Sequence, residues 1–225
     1  MNPCEICAEI AGEPEGDAYH RLLADDRYVH RLILGGGEFG VLPSLGPLVP
    51  GHVLMCPVRH LRRFADLPID LVEQFPAYVE DVIAVLESVY SCPVTRFEHG
   101  TSGDGSRIPC TVEHAHVHLL PLPAGASPIL PDLGWATVPG GLRELRDYVG
   151  PYEYLTWEHP DGHRLVLRGD DAGAIPSQLL RRVVADAVGL PEWNWRVNPD
   201  AAAADATFRC LAGELAITTG YLAAN

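Results

Sequence analysis

Between Glu113 and Pro121 the chain reads Glu-His-Ala-His-Val-His-Leu-Leu-Pro. His114, His116 and His118 alternate with small or apolar residues, a two-residue period. A β-strand sends residues i, i+2 and i+4 to one face, so a strand over residues 111–120 is predicted with three imidazoles in a row. Ala115, Val117, Leu119 and Leu120 then face or approach the core. A solvated strand has no use for three adjacent histidines, and a core strand is penalised by them. Such a row suits metal ligation, phosphate binding, or a nucleophile with an acid–base partner.

Length and charge narrow what surrounds that strand. The 225 residues fit one large domain or one and a half small ones, with 47% hydrophobic and 20% charged residues, a globular composition. Thirty acidic residues against sixteen basic ones give a net charge of −14. Phosphate repels that balance, so general nucleic-acid binding is disfavoured and a polyanionic ligand needs a local positive cluster. Neither a signal peptide nor a membrane span is expected, so the six cysteines read as reduced thiols of a cytoplasmic protein. Cys4 and Cys7 form a CxxC pair, pointing to metal or redox chemistry.

Elsewhere, a helix is expected after the Cys pair, over residues 5–11. Strands are expected over 28–34, 39–42 and 52–56, with Gly35–Gly37 between the first two and a Pro/Gly-rich loop ahead of His52. Leu71, Val72, Phe75, Val79, Val82, Ile83, Leu86 and Val89 recur at helical spacing, so a long helix runs to Tyr90 with a kink or restart at Pro76. A strand over 94–98 and a Gly/Ser-rich loop over 100–109 follow. Beyond a linker at about 123–140, a short helix (141–148) is expected. A hairpin turns at Pro160-Asp161-Gly162, and a helix from about 175 to 188 is capped by Gly189. An Ala-rich helix closes the chain. The chain therefore reads as two segments, 1–122 and a C-terminal extension over 123–225.

The histidine row resembles the signature of the histidine triad (HIT) superfamily. Val49-Pro50-Gly51-His52-Val53-Leu54-Met55-Cys56-Pro57-Val58-Arg59-His60 resembles that family's Pro-Gly-His segment, and the CxxC pair and long helix stand in matching order over residues 4–122. The resemblance implies an α+β fold: an antiparallel sheet with a long helix, here with an α/β extension, usually in dimers. It implies a hydrolase or transferase at the α-phosphate of a nucleotide, with residues 1–122 as the catalytic domain. Hydrolysis of dinucleoside polyphosphates or nucleoside phosphoramidates is the first reading, and transfer to phosphate or a sugar phosphate the second. A non-catalytic nucleotide-binding adaptor and a catalytic metal site are the alternatives. His116 would be the nucleophile, His118 would orient the phosphate, and His52 would line the pocket. Relatives with a structural zinc match Cys4, Cys7, His60 and His114, a Cys2His2 set that would pin the N-terminus to the sheet.

This chain departs from the family where a Gln usually precedes the triad. Ser106, Arg107 and Thr111 are candidates for those phosphate contacts, and Glu98 stands where many members have a nucleotide-contacting Asn. Of the scattered histidines, His99 is the candidate to reach the pocket. Ser177, Gln178, Arg181 and Arg182 open a helix whose N-terminus favours anions, so they are candidates to compensate for the missing Gln.

Overall fold

The computed structural model describes residues 4–13, 16, 18, 21, 31–34, 37–102, 112–171 and 175–219. Its centre is an antiparallel sheet built from both parts of the chain. In chain order the strands are β1 (Phe39–Pro43), β2 (Val53–Pro57), β3 (Val94–Gly100), β4 (Val117–Pro121), β5 (Ala136–Thr137), β6 (Tyr154–Glu158) and β7 (Arg164–Arg168). In space they run β1-β2-β4-β3-β6-β7-β5. Among the described residues five α-helices pack on them: α1 (Glu5–Ala11), α2 (Ile69–Tyr90), α3 (Leu142–Val149), α4 (Leu179–Val188) and α5 (Ala201–Thr219). The fold is α+β, as expected. No helix among the described residues is long and apolar enough to cross a membrane.

Strand alternation divides the core in two. Val41, Val53, Met55, Val117, Leu119 and Val166 face one side, where α2, α3 and α5 cover them. Phe97, Leu120, Leu155, Trp157 and Leu167 face the other, where α4 lays Leu179, Leu180, Val183 and Val184 over them. α2 is amphipathic by its spacing, burying Leu71, Val72, Phe75, Val79, Val82, Val85 and Leu86. Each such side chain contributes about 1.5–3 kcal/mol of transfer free energy. The helix does not restart at Pro76. It continues to Tyr90, with Pro76 on its exposed side, where tertiary packing outweighs the loss of one helical hydrogen bond.

The segment after residue 122 adds to the same sheet. β6 pairs with β3 from Arg96↔Glu158 to Gly100↔Tyr154, and the hairpin turns at Gly162, which adopts φ +82°. The stretch expected as a linker contributes β5, which pairs with β7 at Ala136↔Val166. Of the strand expected over 28–34, residues 28–30 lie outside the described residues, and Leu34 makes an isolated bridge to Val41.

The strand expected over 111–120 is shorter than its alternation suggests. Its ladder begins at Val117, because Ala115 donates its amide to the Leu61 carbonyl instead of a neighbouring strand. His114 and His116 thus stand on an irregular approach to β4, and His118 lies in β4 between β2 and β3, opposite Leu54 and Phe97.

Gly51 sets the entry to β2. It has φ +81°, and a Cβ there would sit 2.4 Å from a Tyr90 ring carbon. Gly51→Ala should cost about 2–4 kcal/mol through backbone strain and overpacking. A melting temperature within one degree of the parent's would show that the turn does not need glycine.

Candidate active site

The site forms where the β1–β2 loop, the end of β3, the approach to β4 and the start of α4 meet. His116, His118, His99, Phe97, Gln178 and Arg181 line one pocket there, with Ser44, Leu45 and Trp195 on its walls. His52 is fully buried behind it.

The hydrogen bonds fix the tautomers. The Leu48 amide donates to His52 Nδ1 at 3.2 Å, so the proton of neutral His52 is on Nε2. That Nε2 lies 2.8 Å from His118 Nδ1 and donates to it. His118 therefore carries its own proton on Nε2, and its ring stacks on Phe97 at 4.2 Å between centroids. His116 Nδ1 lies 2.7 Å from the His114 carbonyl oxygen. A carbonyl only accepts, so His116 is protonated at Nδ1 and its Nε2 keeps a free lone pair. Burial, followed by the charges of Arg181 and His116, holds His52 well below the usual imidazole range. Burial and the His116 and His52 charges do the same to His118, and burial lowers His116. Burial lowers His99 to about 4. The rings are neutral at pH 7, the form in which an imidazole nitrogen is nucleophilic.

His114 turns away to a second cluster. It donates Nε2–H to the Pro57 carbonyl at 2.8 Å, which leaves Nδ1 bare, 3.4 Å from Cys4 Sγ and 3.4 Å from Cys7 Sγ. His60 Nδ1 is 3.3 Å from Cys7 Sγ. The four ligand atoms lie within 4.8 Å of one another, and these residues can hold a metal ion. Tetrahedral zinc, with bonds near 2.3 Å to sulfur and 2.0–2.1 Å to nitrogen, requires S···N separations of about 3.5 Å. The backbone carbonyl on His114 supplies the outer hydrogen bond that orients a ligating imidazole. Burial and the neighbouring Cys4 push the Cys7 thiol up to about 12; a dication between the sulfurs removes that penalty.

The other expected contacts divide. Gln178 and Arg181 reach the pocket, as does His99. Ser177 and Arg182 do not line it: Arg182 donates to the Ser177 carbonyl and lies 3.9 Å over the Trp193 ring. Ser106, Arg107 and Thr111 lie outside the described residues. The helix expected from 175 begins at Leu179, with Gln178 as a left-handed N-cap at φ 55°. The buried Glu9–Arg31 ion pair and Trp195 also line the pocket. Nothing in the local pattern around Glu9 and Arg31 signals a site.

Glu98 is a correction. It was expected at the substrate, but alternation along β3 sends Phe97 and His99 into the pocket and Glu98 to the α2 face. There it accepts from the Phe64 amide at 2.8 Å and from the Tyr154 hydroxyl at 2.9 Å. Burial raises its carboxyl from 4.5 to about 7.

Residues 38–124 match the HIT domain family. The chain carries a HIT domain. That span holds β1 to β4 and α2, and leaves α1, α3 to α5 and β5 to β7 outside it. A bifunctional bis(5'-adenosyl)-triphosphatase/adenylylsulfatase of Arabidopsis thaliana is 34% identical over 82 residues, 36% of this chain and 44% of that protein. An asymmetrical bis(5'-nucleosyl)-tetraphosphatase of Schizosaccharomyces pombe is 37% identical over 79 residues, 35% of this chain and 41% of that one. The chain thus spans about half the length of these curated relatives or less. Among solved structures, a zinc-bound histidine triad family protein from Mycobacterium smegmatis aligns at TM-score 0.41 and 18% identity, covering 55% of this chain and 77% of that one.

The Glu98 carboxyl gives a pH prediction. Its folded value lies above its unfolded one, so the folded state binds the extra proton between them. The stabilisation is complete below about 4.5 and is lost as pH rises through about 7, on the order of 3 kcal/mol. Glu98→Gln mimics the protonated acid and should be more stable than the parent at pH 8 and similar at pH 4.5. Urea denaturation at the two values measures it. A variant that loses as much stability as the parent across this interval would remove the assignment.

Proposed function

We propose that the protein is a nucleotide hydrolase that acts at an α-phosphate through a nucleotidyl-histidine intermediate on His116. The observation that carries this reading is the hydrogen bond from His116 Nδ1 to the His114 carbonyl, 2.7 Å long, which leaves the Nε2 lone pair exposed to the pocket. The names of the HIT relatives, dinucleoside triphosphatase and tetraphosphatase, agree with it. A dinucleoside polyphosphate is the favoured substrate class, with a nucleoside phosphoramidate as the second.

In the first step His116 Nε2 forms a bond to phosphorus, and the bond from phosphorus to the leaving group breaks. The leaving group departs with the electron pair. His118 Nε2–H, held in that tautomer by His52, donates to a non-bridging phosphoryl oxygen as charge develops there. In the second step water forms a P–O bond, the N–P bond breaks, and the water proton passes to solvent. Two displacements retain configuration at phosphorus. If phosphate or a sugar phosphate replaces water, the same intermediate gives nucleotidyl transfer.

The N-terminal cluster has a structural part in this reading. Cys4, Cys7, His60 and His114 would hold Zn2+, which supplies a cross-link between the N-terminus, the end of β2 and the approach to β4. His114 then fixes the carbonyl that orients His116. Reduced thiols in this role favour a cytoplasmic location.

His116→Ala should reduce turnover by several powers of ten, on the order of that seen when a nucleophile is lost from other covalent enzymes. His52→Ala should cost about a hundred- to ten-thousand-fold. Rapid quenching with α-phosphate-labelled dinucleoside polyphosphate should trap acid-labile label on the parent. Equal label on His116→Ala, or inversion at phosphorus, overturns the intermediate.

For the metal, protein purified without chelator should contain one zinc per chain. Cys4→Ser should lower the melting temperature by several degrees, since metal-binding free energy is folding free energy at such a site. Elemental analysis with no zinc in the parent would dismiss it.

A further inference from the structure

Arg181 is buried, at 5% exposure, on the first turn of α4. Its Nε donates to the Trp193 carbonyl at 2.9 Å and its Nη2 to the Gly46 carbonyl at 2.6 Å. These bonds use two of the five guanidinium N–H groups. Carbonyls satisfy hydrogen bonds but carry no compensating charge. The two carboxylates that line its pocket are held by other arginines, Glu9 by Arg31 and Glu5 by Arg21 and Arg196; burial lowers the Arg181 guanidinium to about 10, so it stays charged at pH 7. An unpaired buried cation is costly and is normally matched by an anion. The rest of the pocket offers neutral imidazoles and carboxylates already paired with other arginines, so neither supplies the matching anion.

Further polar atoms in that pocket have no partner among the described residues. Among the described residues His99 Nε2 and Gln178 Oε1 are buried with no hydrogen bond, and both residues line the pocket with His116 and His118; His99 Nε2 can donate to an anion, whereas the Gln178 oxygen only accepts and suits a ligand hydroxyl. Gln178 adopts φ 55°, a conformation that non-glycine residues rarely hold without compensation. Gly46 lets the cation approach: a Cβ there would lie 3.3 Å from Arg181 Nη2 and 2.4 Å from Trp195 Cβ. Arg182, the neighbouring candidate, is spent on Trp193 and the Ser177 carbonyl.

We infer that Arg181, flanked by Gln178 and His99, binds the ionised oxygens of the phosphoryl group that His116 attacks. The triad pocket is then completed by a helix from outside the HIT domain. This deepens the hydrolase reading and rests on it for the identity of the attacking atom. The ligand class is a nucleoside 5'-phosphate or its conjugate with at least one ionised α-phosphate oxygen. A guanidinium is suited to it, because its planar N–H groups match two phosphate oxygens.

The test compares AMP with adenosine, GMP with guanosine and UMP with uridine by calorimetry on the full-length protein. The parent should bind at least one monophosphate more tightly than its nucleoside, by about ten-fold or more. Arg181→Met should remove that preference and leave nucleoside affinity unchanged, and Arg182→Met should keep it. Should Arg181→Met fail to fold, His99→Ala and Arg181→Lys give the same comparison. Each should shrink the phosphate preference by several-fold. The proposal is overturned if no monophosphate outbinds its nucleoside, if the preference survives in the variants, or if both ligands weaken together. Phosphorus NMR of turnover separates the two readings. Hydrolysis with an unchanged preference sinks the Arg181 assignment alone. A preference that the parent shows and Arg181→Met loses, in a parent that hydrolyses nothing, supports Arg181 and sinks the hydrolase.

Discussion

The hydrogen bond between His52 Nε2 and His118 Nδ1 is the contact around which the HIT domain is organised. It ties the loop that enters β2 to the strand that β2 pairs with. It works in one direction only. The Leu48 amide occupies His52 Nδ1, so the proton must lie on Nε2 and must point at His118. A charged His52 would present a donor to the Leu48 donor, and a charged His118 would present one to His52. Both rings therefore have to be neutral for the pair to exist, and their burial against Phe97 and the surrounding apolar side chains enforces that. Register follows from the same pair, since Leu54 stands opposite His118 two residues after His52. Neutrality is thus a condition of the fold before it is a property of the chemistry.

Much of this was legible in the chain. The alternation over His114–His118 placed His116 and His118 in a common pocket, and the Pro-Gly-His segment added His52. The CxxC pair with His60 and His114 came together as expected. Local pattern failed where partners came from far away. A two-residue period predicts a strand through His114, but it cannot foresee that Leu61 takes the Ala115 amide out of the ladder. Pattern also cannot choose which of two faces carries chemistry. Glu98 and His99 are adjacent in β3, and one residue of parity sent the carboxylate to Tyr154 and the imidazole to the pocket. Pro76 shows the same limit: the expectation of a break came from the residue, and the continuous helix comes from the packing around it.

The C-terminal half changes what the HIT domain presents. By itself β3 would expose one line of amides and carbonyls, an invitation to pairing with another chain. β6 fills that line over five residues, and β7 and β5 carry the sheet onward. The covering helix then has a fixed position. Trp157 of β6 stacks beside Phe97 at 6.0 Å between centroids, and α4 packs onto both. That stack brings the first turn of α4 over the histidines. A composition reading sees a Pro/Ala/Gly-rich linker and a second segment. The structure has one sheet because strand pairing, which composition does not report, crosses the boundary.

The placement of charge completes the logic. The chain carries −14 overall, a background that repels a phosphate at long range. Two of its carboxylates line the pocket, and each is engaged: Glu9 with the buried Arg31, and Glu5 with Arg21 and Arg196. Their pairing cancels the acidic contribution where it would be most harmful. What is left facing the histidines is a guanidinium whose recorded bonds go to carbonyls. Local interactions in a low-dielectric site outweigh distant, solvent-screened ones at ranges beyond a Debye length of about 10 Å. An acidic protein can therefore hold an anion, provided the nearest uncompensated charge is positive and buried. α4, outside the HIT domain, delivers that charge.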